Sequence, residues 1–334
     1  MRYKELLPFR NAWLGFAMLW VILIHTPFNL GPLNYLRAIG CGGVDICIFA
    51  SGIGCFYSLS KDSNAGSFMV RRLKRLAPAY ILFIVFWLFY QYCLGNFNFQ
   101  MAIGNLFAIQ TLTGLENDFN WYISAIFLLY VLAPYFKAAA EQSTWKKHLF
   151  LLLLLIGSVP FWRVDAYMVI VTRVPIFYLG MLFADLCKKD KQIKKADVFC
   201  MSIAFVVGAI FAVGTYLYAR EYLWSHGLYW YPFLFIAPPM CFAISWIAMH
   251  LNKRKLTKPI VDFLSLCGDY SFELYLVHIL LFSLVPTIML RFGLTHIRNL
   301  LWFGCILCVP VGCFLLRRGA LLLSRLFSKS KTPV

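Results

Sequence analysis

Long apolar stretches follow one another along this chain, separated by short loops rich in lysine and arginine. Ten stretches stand near residues 12 to 30, 38 to 59, 76 to 95, 119 to 137, 147 to 162, 168 to 187, 197 to 219, 228 to 251, 269 to 290 and 298 to 322. Each approaches or exceeds the roughly 20 apolar residues that a helix needs to cross the hydrocarbon core. Only helices satisfy their backbone polar groups within one such segment. The pattern predicts an all-α, polytopic integral membrane protein of about ten transmembrane helices, with a single domain filling residues 1 to 334. The first stretch is too long for a signal peptide and has no small-residue cleavage pattern after it, so it reads as a retained helix.

Composition agrees: 61% of residues are hydrophobic and 13% charged, a balance that a soluble fold cannot bury. The formal charge of +17 raises the question of nucleic acid, which the position of the charges answers. Counting loops from a cytoplasmic N-terminus, 25 of the 31 basic residues fall in the inner segments. The other six are Arg37, Arg163, Arg173, Arg220, Arg291 and Arg298. This asymmetry predicts cytoplasmic termini and charge that serves topology and anionic lipid, with no nucleic-acid partner. The eleven cysteines are scattered through apolar segments without paired or metal-ligand spacing, so no metal site is expected.

The longest outer connection runs from Gly95 to Asn120. Its middle, Met101 to Thr113, is half-apolar and either lies at the interface or folds back as a re-entrant segment. Trp121, Tyr122, Tyr222, Trp224 and Trp230 fall near predicted helix ends, the usual place of interface anchors.

Ionisable side chains at membrane depth cost about 3 kcal/mol or more, which makes each a functional candidate. His25, Asp45 and Arg173 are expected within one helical turn of each other in depth, some 8 to 11 Å below the outer surface at about 1.5 Å per residue. Glu273 and His278 are expected toward the cytoplasm, about 140° apart around their helix and so facing different neighbours. The run Arg71, Arg72, Lys74 and Arg75 precedes the third span. Each group also has a plain structural reading. His25 is either a proton-transfer group or a neutral histidine on a backbone carbonyl, and Asp45 with Arg173 is either site chemistry or an ion pair locking two helices. Glu273 and His278 are open to helix-helix hydrogen bonding, and the arginine run to simple anchoring.

Six segments, in order, resemble the membrane-bound acyltransferase-3 family of bacteria: RNAWLGFAMLWVILIH (10 to 25), GGVDICIFASG (42 to 52), FMVRRLKRLAPAY (68 to 80), NWYISAIFLLYVLAP (120 to 134), RVPIFYLGMLF (173 to 183) and GDYSFELYLVH (268 to 278). The resemblance implies transfer of an acyl group, commonly acetyl, from cytoplasmic acyl-CoA as co-substrate to a carbohydrate or glycolipid hydroxyl. Such enzymes lie in the bacterial inner membrane and hold no permanent cofactor. It casts His25 as general base and Asp45 as the acidic position of the glycine-rich second helix. Arg71, Arg72 and Arg75 fall on the basic donor segment, while Trp121, Arg173, Glu273 and His278 fall on other recurrent polar or aromatic positions. The family often carries Arg or Lys eleven residues before the histidine, and this chain has Leu14 there. Arg10, one turn earlier, is the candidate replacement.

The chemistry stands without the family. An imidazole can remove the proton of a weakly nucleophilic sugar hydroxyl as that hydroxyl attacks a thioester, and the CoA phosphates need cations. A transporter or flippase for a lipid-linked sugar remains open, as does a scaffold subunit of an envelope-polysaccharide assembly. No inverted repeat or pair of Gly/Pro-broken helices supports the first of these.

Overall fold

A computed structural model describes residues 1–109, 111, 120–163, 165–218 and 230–329. Arg220, Tyr222, Trp224 and the chain beyond Lys329 lie outside the described residues, as does most of the stretch between Ala108 and Asn120. Every regular element described is a helix. Among the described residues ten helices are long and apolar enough to cross a membrane, from Tyr3–Ile24 through Leu294–Arg325, one for each expected span.

The main helices are α1 (Arg10–Ile24), α2 (Asn34–Ala38), α3 (Gly42–Lys61), α4 (Ala65–Cys93), α5 (Phe99–Leu106), α6 (Trp121–Ala140) and α7 (Thr144–Ser158). They continue as α8 (Asp165–Val171), α9 (Val174–Lys188), α10 (Lys195–Tyr218), α11 (Pro232–Leu251), α12 (Lys258–Asp269), α13 (Ser271–Phe292) and α14 (Arg298–Lys329). The central pillar is α3, whose span is 78% buried against the rest of the bundle. It crosses α9 where Gly52 and Gly180 face each other. A β-carbon on either would overlap a backbone carbonyl of the opposite helix, at Phe177 or Phe49, so the two backbones meet only because both positions are glycine.

Three helix boundaries depart from the hydropathy reading, each for a physical reason. First, α1 stops at Ile24 rather than continuing to residue 30, and the chain folds back with the Trp20 indole donating to the Leu36 carbonyl and Arg37 to that of Thr26. Second, α4 starts at Ala65 instead of residue 76, because Asn64 caps it by accepting from the Ser67 amide. Arg71, Arg72 and Arg75 therefore lie on the helix itself. Third, α12 has no counterpart among the ten expected spans. It packs along α1 so closely that a β-carbon at Gly15 would overlap the Leu264 carbonyl and one at Gly268 that of Asn11.

The described first part of the outer connection folds back. Asn105 of α5 is fully buried and its carbonyl accepts from the Tyr80 hydroxyl, halfway along α4, while its side-chain oxygen accepts from the Asn120 amide at 3.0 Å. A short helix bonded to the midpoint of a spanning helix fits the re-entrant alternative. At the end of the bundle that carries the basic loops, Arg2 and Lys4 pair with Asp190, and Lys137 and Lys188 with Glu141. The arginine and lysine partners hold Asp190 below the ordinary carboxylate range, the Lys4 hydrogen bond being the largest cause. We refer to this as the basic end.

Candidate active site

At the end of α1 distant from the basic loops, His25 caps the helix. Its backbone amide bonds to the Ile22 carbonyl, and its Nδ1 lies 2.7 Å from the Val21 carbonyl. A carbonyl only accepts, so Nδ1 carries the hydrogen and Nε2 keeps its lone pair. The side chain is exposed.

Directly behind it stands His278 of α13, fully buried, with the two ring centroids 5.2 Å apart. Its Nδ1 is 2.7 Å from the Leu274 carbonyl, giving the same tautomer, and its Nε2 has no hydrogen-bond partner among the described residues. His278 thus sits beside His25 and not in a separate cytoplasmic group. Counting residues from helix ends misplaces it because the His25 ring folds back toward Val21, as a helical side chain bonded to the carbonyl four residues earlier must. Glu273 faces elsewhere, as the 140° separation requires. It bonds to Arg317 at 3.0 Å, and the Arg317 guanidinium lies 3.7 Å from the Tyr270 ring centroid, stapling α13 to α14.

Asp45 and Arg173 come together with each other. The Arg173 Nε is 3.5 Å from Asp45 Oδ1, both side chains are nearly fully buried, and Arg173 Nη1 donates to the Val169 carbonyl at 2.8 Å. The guanidinium lies between two indoles, 4.8 Å from the Trp121 ring and 4.1 Å from that of Trp230. Among the described residues no hydrogen bond or ion pair joins Asp45 to His25. This geometry fits a lock between α3 and α9 better than an orienting acid for the histidine.

Four arginines gather nearer the basic end. Arg10, Arg71, Arg72 and Arg75 line an open cavity of about 440 Å³ together with Lys61 and Asp62. Arg71 is neutralised by Asp62, and that bond holds the carboxylate below its ordinary range. Arg10 donates to the Ala50 carbonyl at 3.1 Å and Arg72 to that of Gly54 at 2.6 Å. The Arg72 guanidinium also lies over the Phe68 and Tyr130 rings. Arg10, Arg72 and Arg75 reappear on the wall of a narrower inner cavity of about 80 Å³, which Leu14, Met18, Tyr122 and Tyr275 also line. No Asp or Glu stands among its lining residues, so three cations face it without a countercharge. Leu14 occupies the position where the family often has a cation, and Arg10 brings its guanidinium to the same cavity.

Tyr122 and Tyr275 escaped the sequence reading as site components. Tyr275 lies between the inner cavity and the histidines, its ring 4.8 Å from Tyr122 and 6.0 Å from His278. Its spacing of three residues from His278 was the available signal. Three consecutive residues at the start of α6 also divide their contacts. Asn120 holds α5, Trp121 covers Arg173, and Tyr122 meets Tyr275.

A family model described as an acyltransferase domain, that of the acyltransferase-3 family, matches residues 12–318. The chain belongs to that family. The match takes in every candidate residue above except Arg10, which lies two residues before it. No curated protein and no solved structure matches the chain. The acyltransferase is therefore a multi-pass membrane protein of this family.

Proposed function

We propose that this acyltransferase moves an acetyl group from cytoplasmic acetyl-CoA to a hydroxyl of an envelope carbohydrate or glycolipid on the far side of the bacterial inner membrane, with His25 as general base. The observation that carries the reading is the presence of two separate polar groups in one membrane bundle. Arg10, Arg72 and Arg75 line a cavity open toward the basic end, and an imidazole pair stands near the other end.

The basic loops are the cytoplasmic ones on this reading, since lysine and arginine are retained on that side. Arg10, Arg72 and Arg75 would take the CoA phosphates, which charge-assisted bonds to guanidinium groups favour. The acyl-pantetheine arm would thread inward along α1, where Arg10 and His25 are separated by about 22 Å of helix rise. The acceptor reaches His25 from its exposed side. Nε2 of His25 takes the hydroxyl proton as the oxygen attacks the thioester carbonyl. The C–O bond forms, the C–S bond breaks, and the imidazolium returns the proton to the departing thiolate. Exclusion of bulk water around the buried His278 would strengthen these electrostatic interactions.

The test is acyl transfer per folded molecule in His25→Asn, which keeps one hydrogen bond but accepts no proton near neutral pH. Loss of the base is expected to cost about 100-fold to 10,000-fold in turnover, with an unchanged melting temperature. Normal turnover in that variant would remove His25 from the role. His278→Gln, measured beside it, reports whether the second ring is required.

A further inference from the structure

The inner cavity does not reach the histidines. Its lining includes Tyr122 of α6 and Tyr275 of α13, whose rings meet at 4.8 Å, and the His278 ring lies 6.0 Å from that of Tyr275. Met18 joins the lining from α1, and it is 3% exposed. Helical spacing continues the line of the cavity toward the site. Met18 and His25 are seven residues apart on α1, as are Ser271 and His278 on α13, so each pair shares a helix face about 10 Å apart along the axis.

The size of the inner cavity is informative. An engineered cavity of about 150 Å³ accepts benzene, six carbon atoms. At about 80 Å³ the inner cavity is about half of that, room for about three heavy atoms by the same measure. An acetyl group has three, and a longer acyl chain would press on the two tyrosine rings.

We propose that the Tyr122–Tyr275 ring pair closes the acyl path between the donor cavity and the histidine pair and restricts the enzyme to short acyl groups. The proposal rests on the donor reading above and adds the residues that set acyl length. Both rings are held by packing from opposite helices, so truncating either one opens the same wall.

The experiment measures binding of CoA, acetyl-CoA, butyryl-CoA and octanoyl-CoA to the purified full-length protein in detergent, which needs no knowledge of the acceptor. Wild-type protein is expected to bind acetyl-CoA at least as well as CoA and to gain nothing from longer chains. In Tyr275→Ala the preference for butyryl-CoA over acetyl-CoA should rise about fifteen-fold, since each newly buried methylene is worth about four-fold in affinity. Tyr122→Ala should move the ratio in the same direction and covers the case in which Tyr275→Ala fails to fold. Tyr275→Phe keeps the ring and should keep the wild-type ratio. If both alanine variants bind CoA with an unchanged chain-length ratio, the gate is wrong and the donor site stands. If wild-type protein binds no CoA, the donor reading falls and the gate with it.

Discussion

Arg10→Met separates a ligand site from a membrane anchor, because its two expected effects have opposite signs. The guanidinium of Arg10 donates through Nε and Nη2 to the Ala50 carbonyl and shares both cavities with Arg72 and Arg75. Methionine keeps the apolar stem, so packing changes little. Removing one of three like charges from a cavity wall with no carboxylate relieves repulsion, and the melting temperature should stay level or rise. Binding should move the other way. A charged hydrogen bond is worth about 1.5 to 3 kcal/mol, which predicts CoA affinity lower by about 10-fold to 150-fold at about 1.4 kcal/mol per decade. The assay is titration of CoA into purified protein at low and at high salt, with the melting curve taken on the same sample. Dephospho-CoA gives an internal control, since the loss should shrink when Arg10 has one phosphate fewer to meet. Unchanged CoA affinity would refute the donor assignment, and a parallel loss of stability and binding would mark Arg10 as a packing residue.

Two further outcomes follow from the same structure. Single-cysteine labelling is expected to find Asn98→Cys reactive from the periplasmic side and Gln192→Cys from the cytoplasm, and the reverse pattern would overturn the two-sided reaction. Asp45→Ala should cost about 3 to 5 kcal/mol of stability by leaving Arg173 buried without its partner, whereas Asp45→Leu with Arg173→Met should recover most of it. A variant that melts like wild type and loses turnover would return Asp45 to the chemistry.

Much of the fold was legible because hydropathy depends on local sequence alone. Ten apolar stretches became ten helices, and the half-apolar outer segment returned to the bundle through Asn105. The missed helix α12 is only 12 residues long and amphipathic, too short and too polar for a span. Its role is visible only in its contact with Gly15 and Asn11 of α1. The candidate site was legible one residue at a time, since an ionisable group at membrane depth is conspicuous wherever it falls. Its pairings were legible only in part. Asp45 with Arg173 was open to reading as an ion pair because the two fall at similar depth, whereas the contact of His25 with His278 depends on where helices end and how side chains fold back. In sequence Tyr122 reads as an interface anchor and Tyr275 as an ordinary apolar-span aromatic, and only their contact with each other beside a cavity and a histidine distinguishes them.

The end of α1 explains how a histidine can be oriented there without a carboxylate. A helix leaves its last four carbonyls without amide partners. Because α1 stops at Ile24, the His25 amide turns to Ile22 and the Val21 carbonyl is left for the imidazole. Had the helix continued to residue 30, the amide of residue 25 would have claimed that carbonyl. The same termination supplies the field. The C-terminal end of a helix carries partial negative charge, which favours an imidazolium close by. His278 lies within α13, seven residues from its start, and its Nδ1 meets the Leu274 carbonyl inside a continuing helix.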